Sequence, residues 1–310
     1  MTDKGGPFAW LNPSGNVLLL LNWLGFVAGE RDFLLFFFLF FRFFFGNSPV
    51  HPVVVVNVLS TTGVLGGVQT AQPSNDHPTF FTPAGYAFSI WGLIYLWMAL
   101  WVVGQTFFRF RPNGNEVLAI TNGRVGVLFF ASAVLNCSWL FSWQFLEFWL
   151  SCVLMTLYLV TLCVIHVRIP IKFQDFSKNR FDFFVTQVFF SLNLGWICVA
   201  TVANFAITLT VEGVTSVGEI SGPASAVVMI SIASALGLVG LLLNRDIVFS
   251  GVLIWAFLAI HNKQTDRDVR TGVVANVVLL AVGCAVAIAD LIRRRVLLRK
   301  QTSQTLLPLK

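Results

Sequence analysis

The sequence predicts an all-α, polytopic helical membrane protein, and three observations predict it. Hydrophobic residues fill 56% of the 310 positions and charged residues only 11%, with a mean hydropathy of +0.80; a soluble domain of this length needs far more polar surface. Apolar stretches bounded by charged residues recur at 50–75, 77–108, 125–146, 148–167, 183–211, 220–244, 247–262 and 271–289. Most of them reach the roughly 20 residues that a bilayer-spanning helix needs. Finally, the basic residues alternate between loops as membrane topology requires.

The third observation fixes orientation. Arg109, Arg111 and Arg124 follow the second span, Arg168, Lys172, Lys178 and Arg180 the fourth, Arg245 the sixth, and Arg293, Arg294, Arg295, Arg299, Lys300 and Lys310 the eighth. The opposite loops carry only Lys263, Arg267 and Arg270, whereas Asp76, Glu147, Glu212 and Glu219 lie there. The net charge of +6 therefore reads as topology and not as a nucleic-acid footprint.

The elements follow in order. Residues 1–49 are an apolar, low-complexity extension containing "FLLFFFLFFRFFF", an anchor or targeting segment whose two apolar runs are each too short to span alone. Residues 50–211 supply five spans. The first holds Gly63, Gly66 and Gly67, a small-residue face that suits homodimerisation or ordinary packing within one bundle. The second, "FTPAGYAFSIWGLIY" at 81–95, is dense in rings; the third contains "LNCSWLFSW", the fourth is plainly apolar, and the fifth contains "GWICVATVAN". Residues 220–293 supply three further spans, of which 247–262 is short, and could be tilted little or sit partly in the interface, but is apolar enough at Ile254–Leu258 to insert; 294–310 form a basic tail. Trp97, Trp101 and Trp149 read as interfacial belt residues.

Several chemistries find no support. The five cysteines fall within spans without a CxxC pair, and the four histidines sit at span ends or in loops without HExxH-like spacing, so no metal site is expected. GxSxG, P-loop and GxGxxG signatures are missing, and no acid/base pair supports a ground-state enzymatic reaction. An ion-coupled transporter would place ionisable residues in mid-span, and this chain places none there.

Three spans carry a more specific pattern. Phe88, Trp91 and Tyr95, then Asn136, Trp139 and Trp143, stand at i, i+3 and i+7; Trp196, Ala200 and Asn204 stand at i, i+4 and i+8. Each set shares one helical face. Trp91 lies eight residues from Pro83, Trp139 eight from Glu147 and Asn204 eight from Glu212. At 1.5 Å per residue all three should sit roughly 12 Å inside the basic-poor boundary. The loop 69–83 would roof that level. The bland alternative is that the Asn136 and Asn204 amides satisfy each other and the rings merely pack.

At these residues the chain resembles the TspO/MBR family of tryptophan-rich sensory proteins and translocator proteins. Pro83-x7-Trp91-x3-Tyr95 resembles the family's second helix, Leu135-Asn136-x2-Trp139-x3-Trp143 its third, and Trp196-x3-Ala200-x3-Asn204 its fifth. The likeness covers residues 50 to about 210. It departs where the family often has Pro-Tyr before the fifth-helix tryptophan and this chain has Leu192-Asn193, and where paired prolines are here Thr82-Pro83. The last three spans stand outside the five-helix core.

The resemblance implies a five-helix pocket that binds a flat hydrophobic ligand, a tetrapyrrole such as porphyrin or haem, between the second, third and fifth spans, for sensing or trafficking. No obligatory cofactor is implied. Pro83, Phe88, Trp91, Tyr95, Asn136, Trp139, Trp143, Trp196, Ala200 and Asn204 are the candidate ligand contacts. A sterol is the weaker expectation, because Tyr86, Tyr95 and Tyr158 all lack a basic residue within five positions downstream. Transport of a small hydrophobic solute and light-dependent porphyrin breakdown are the alternative roles.

Overall fold

The computed structural model describes residues 50–62, 64, 69–108, 125–169, 183–214 and 221–305. The chain divides into two units, residues 1–51 and 52–310. The first lies almost wholly outside the described residues, as do the N-terminal extension and the Gly63, Gly66 and Gly67 face; the architecture below is that of the second.

Among the described residues, eight helices of twelve residues or more fall one in each apolar stretch, and there is no strand. They are α1 (Val50–Thr61), α2 (Ile90–Phe108), α3 (Gly126–Gln144), α4 (Phe148–Arg168), α5 (Val188–Val211), α6 (Gly222–Asn244), α7 (Ile247–Lys263) and α8 (Arg267–Thr305). Six helical stretches, ending within α2, α3, α4, α5, α6 and α8, are long and apolar enough to cross a membrane. The chain is thus an integral, multi-pass membrane protein in contact with the lipid bilayer. The first stretch departs from its expected span of 50–75, since α1 ends at Thr61 and residues 69–84 form a roof with a single helical turn at Gln72–Asp76. The eighth runs well past its expected end at 289, into the basic tail.

Local chemistry sets the boundaries. Pro83 closes the roof, and a 3₁₀ turn at Gly85–Ser89 leads into α2. Pro223 occupies the first turn of α6, where its missing N–H costs nothing. That helix ends on Arg245 in a left-handed conformation, φ 54°. Asp246 then caps α7 by accepting from the Phe249 amide at 2.9 Å.

At the centre stands α5, which packs on α2, α4, α6 and α7. Half of its spanning window is buried, more than in any other described span, so its apolar residues run all the way round. Lipid tails are as apolar as leucine, so close packing is what holds such helices together. Gly195 shows how close: a Cβ there would stand 2.9 Å from Val252 Cβ and 3.2 Å from the Phe249 carbonyl, so α5 and α7 meet nearly backbone to backbone.

The short α7 is a core element, with Leu253, Ala256, Phe257, Ala259 and Ile260 fully buried against α5, α6 and α8. One expectation is corrected: Trp101 is not a belt residue. It is 2% exposed, with its ring 4.6, 5.6 and 5.3 Å from Phe129, Phe189 and Phe190. Trp149 does fit the belt, being half exposed at a helix end with its indole N–H on Glu212 Oε1.

Ion pairs and hydrogen bonds join the described ends of α4 to α8 on the basic-rich side. Arg245 and Arg294 both bond Asp290 Oδ2, at 2.7 and 2.9 Å. Beside them, Asp246 accepts from Ser191 Oγ at 2.6 Å and lies 3.6 Å from His166 Nε2, joining α4, α5 and α7.

Candidate ligand site

The aromatic stripes of α2, α3 and α5 converge as the helical spacing predicts. Tyr95, Trp91, Trp139 and Trp143 form a stacked column with successive ring centroids 5.6, 6.1 and 6.0 Å apart and interplanar angles of 15°, 27° and 27°. Trp196 meets Trp91 edge-on at 6.3 Å and Phe88 at 5.8 Å. These offset and edge-to-face geometries suit the ring quadrupoles and contribute about 0.5–1.5 kcal/mol per pair beyond burial.

A cavity lies against this column. Pro83, Phe88, Trp91, Trp139, Trp143, Trp196, Ala200 and Asn204 all line it, with Ser74 from the roof and Val199, Ala203 and Ile207 from α5. Tyr95 and Asn136 do not. Tyr95 sits at the far end of the column, and Asn136 turns toward α1, where its Oδ1 accepts from Asn57 Nδ2 at 3.0 Å. The asparagines therefore do not satisfy each other: Asn204 Oδ1 accepts instead from Ser151 Oγ at 2.9 Å. Neither α1 nor α4 partner was visible in the sequence, because both contacts join positions distant along the chain.

The free groups of the site are of one kind. Trp139 Nε1, Trp196 Nε1, Asn136 Nδ2 and Asn204 Nδ2 are buried donors without a hydrogen-bond partner, and the Tyr95 hydroxyl is likewise unpartnered. Trp143 differs, donating to the Thr70 carbonyl at 2.9 Å and so tying α3 to the roof. Each unmet buried polar group costs about 1–3 kcal/mol, and natural structures rarely gather several in one place. A molecule that satisfied them would need hydrogen-bond acceptors set in a flat apolar body. Among the described residues no group of three or more His, Cys, Asp or Glu could hold a metal.

The cavity itself is small, about 30 Å³. That is room for one or two waters. The column occupies the space a larger guest would take, so ligand access requires the rings or the roof to move.

That roof hangs on α7. Gln264 Nε2 donates to the Thr79 and Thr82 carbonyls, each at 2.9 Å, and the Ala84 amide donates to the Ala259 carbonyl at 2.9 Å. Trp255 Nε1 donates to the Ala87 carbonyl at 3.3 Å, while its ring packs edge-on against Tyr86. Sequence reasoning set the last three spans apart from the core and missed this clamp.

One departure from the expected motif has a structural explanation. Asn193, standing where a Pro-Tyr pair was expected, exchanges hydrogen bonds with the Tyr158 hydroxyl at 3.0 and 3.1 Å, linking α5 to α4. No curated protein and no solved structure matches the chain. The sequence model of a family described as TSPO-like protein does match, over residues 50–292, which takes in the last three spans as well as the aromatic core. With that match spanning most of its length and the aromatic stripes of α2, α3 and α5 converging on one site, the chain belongs to the TSPO-like family.

Proposed function

We propose that the protein binds a flat hydrophobic ligand bearing hydrogen-bond acceptors, a tetrapyrrole in the first instance, at the site formed by α2, α3 and α5, and that it serves sensing or trafficking of that ligand within the membrane. The observation that carries the reading is the set of unpartnered buried donors, Trp139 Nε1, Trp196 Nε1 and Asn204 Nδ2, on residues that all line the same tryptophan-walled cavity. A porphyrin offers ring faces for stacking and carboxylate or ring-nitrogen acceptors for those donors. Binding opens the column, and the guest replaces the ring contacts that it breaks.

The test is a titration of the full chain in nanodiscs with protoporphyrin, haem and a sterol, following the Soret band and tryptophan quenching. Saturable porphyrin binding with a Soret shift is expected. Its loss in Trp139→Ala, with Trp149→Ala binding like the parent, would assign the site. No saturable porphyrin binding by the parent would overturn the proposal.

A further inference from the structure

A second cavity lies on the opposite face of α5, and it is of a different character. Its volume is about 740 Å³, within the range of small-molecule sites. On α5 the residues Thr201, Phe205 and Leu209 face it at i, i+4 and i+8, and on α6 Gly222, Ala226 and Met229 face it at i, i+4 and i+7. The roof residues 78–82 close one side, and Lys263, Gln264 and Thr265 form a rim at the end of α7.

Its polar groups are mostly spent. Thr201 Oγ1, Thr210 Oγ1 and Ser225 Oγ donate to carbonyls of their own helices, those of Ile197, Ala206 and Gly222. Gln264 Nε2 is held by the roof. What remains, among the described residues that line it, is an apolar trough with one cation, Lys263, at its mouth. Lys263 is exposed and makes no ion pair among the described residues. Of the nearby described carboxylates, Asp266 caps α8 by accepting from the Asp268 and Val269 amides, and Glu212 accepts from Trp149.

Depth completes the picture. Lys263 and Thr265 stand at the basic-poor membrane boundary, whereas Thr201 lies eleven residues before Glu212, roughly 16 Å further in along α5. A guest that lies along this trough has its charged end at the interface and its apolar length within the hydrocarbon region.

We propose that this groove is a binding site for a single-chain anionic amphiphile, a long-chain fatty-acid anion, with its carboxylate on Lys263 and its chain between α5 and α6. One cation matches one carboxylate, and a trough whose polar groups are mostly engaged matches an alkyl chain. This site is distinct from the aromatic cavity, which faces the other side of α5.

The experiment measures labelled palmitate bound to the full chain in zwitterionic nanodiscs, with hexadecanol and cholesterol as competitors. One equivalent of palmitate should bind saturably, and hexadecanol should compete at least fivefold less well. Lys263→Glu should weaken palmitate about fivefold or more, the upper end for an exposed pair. Met229→Trp, at a part-exposed wall position, should fill the trough and remove saturable binding. Protoporphyrin quenching in Lys263→Glu serves as the control and should match the parent, so failure of one site is separable from failure of the other. The proposal is overturned if palmitate does not bind saturably, if hexadecanol or cholesterol competes as well as palmitate does, or if both variants bind palmitate like the parent.

Discussion

Replacing Trp139 with phenylalanine separates a ligand site from a packed core, because it keeps an aromatic ring and removes one N–H. Trp139 is 4% exposed and stacks between Trp91 and Trp143, while its Nε1 has no partner. Shrinking the ring costs about 1–2 kcal/mol of packing, at the low end for large-to-small changes in a core. Removing a buried unmet donor returns about 1–3 kcal/mol. The two nearly cancel, so the ligand-free variant should melt within about 4 °C of the parent in detergent. Porphyrin affinity should nevertheless fall about five- to 150-fold, because a ligand that meets the indole N–H relieves that same penalty of about 1–3 kcal/mol. Differential scanning fluorimetry and Soret titration on the same preparations read the two quantities. A variant that loses much stability but keeps its affinity would show that the indole N–H does not serve a ligand, and the argument from unpartnered donors would fall.

Other expectations follow from the same geometry. Trp101→Ala removes a ring packed against Phe129, Phe189 and Phe190 and should cost about 3–5 kcal/mol, whereas Trp149→Ala should cost under about 1 kcal/mol; equal melting temperatures would contradict the burial difference. Asp246→Ala strips the α7 cap and the Ser191 bond together, so thermal unfolding should show a loss of about 2–4 kcal/mol, with Asp246→Asn intermediate. Cysteine-accessibility labelling should place residues 106–124 and the tail beyond 294 in one compartment, as the fourteen-to-three basic asymmetry requires; opposite sides would refute the topology.

The sequence made the aromatic site legible because rings and amides at i, i+3, i+4 and i+7 stand out within apolar helices, and because the distance from a charged boundary sets depth. Trp91, Trp139 and Asn204 could be set at one depth on that basis, while the meeting of the three spans was implied by the family resemblance. Partnerships were not legible. Asn57 with Asn136 and Ser151 with Asn204 link helices whose rotation about their own axes no local pattern specifies. Membrane helices are apolar on both lipid-facing and protein-facing sides, so periodicity that would orient a soluble helix is muted here. That is also why Trp101, read as a belt residue, turned out to be core. Asp246 joins α4, α5 and α7 through contacts that only the tertiary arrangement displays.

The clamp between α7 and the roof carries a last prediction. Gln264 holds the Thr79 and Thr82 carbonyls with one amide nitrogen, and the Ala84 amide reaches the Ala259 carbonyl just beside them. Gln264→Ala deletes two hydrogen bonds of about 0.5–1.5 kcal/mol each, so roof opening should become easier by about 1–3 kcal/mol. Hydrogen exchange at the Ala84 amide reports that opening directly and should accelerate about five- to 150-fold. The same bonds are present without ligand, so their loss acts on closed free protein and closed complex alike. Porphyrin association and dissociation should therefore both quicken while the dissociation constant stays within about twofold. Unchanged exchange at Ala84 would show that the roof is held by its own internal bonds and that α7 is only a neighbour. Faster exchange with unchanged ligand kinetics would mean that the guest enters between helices and not beneath the roof.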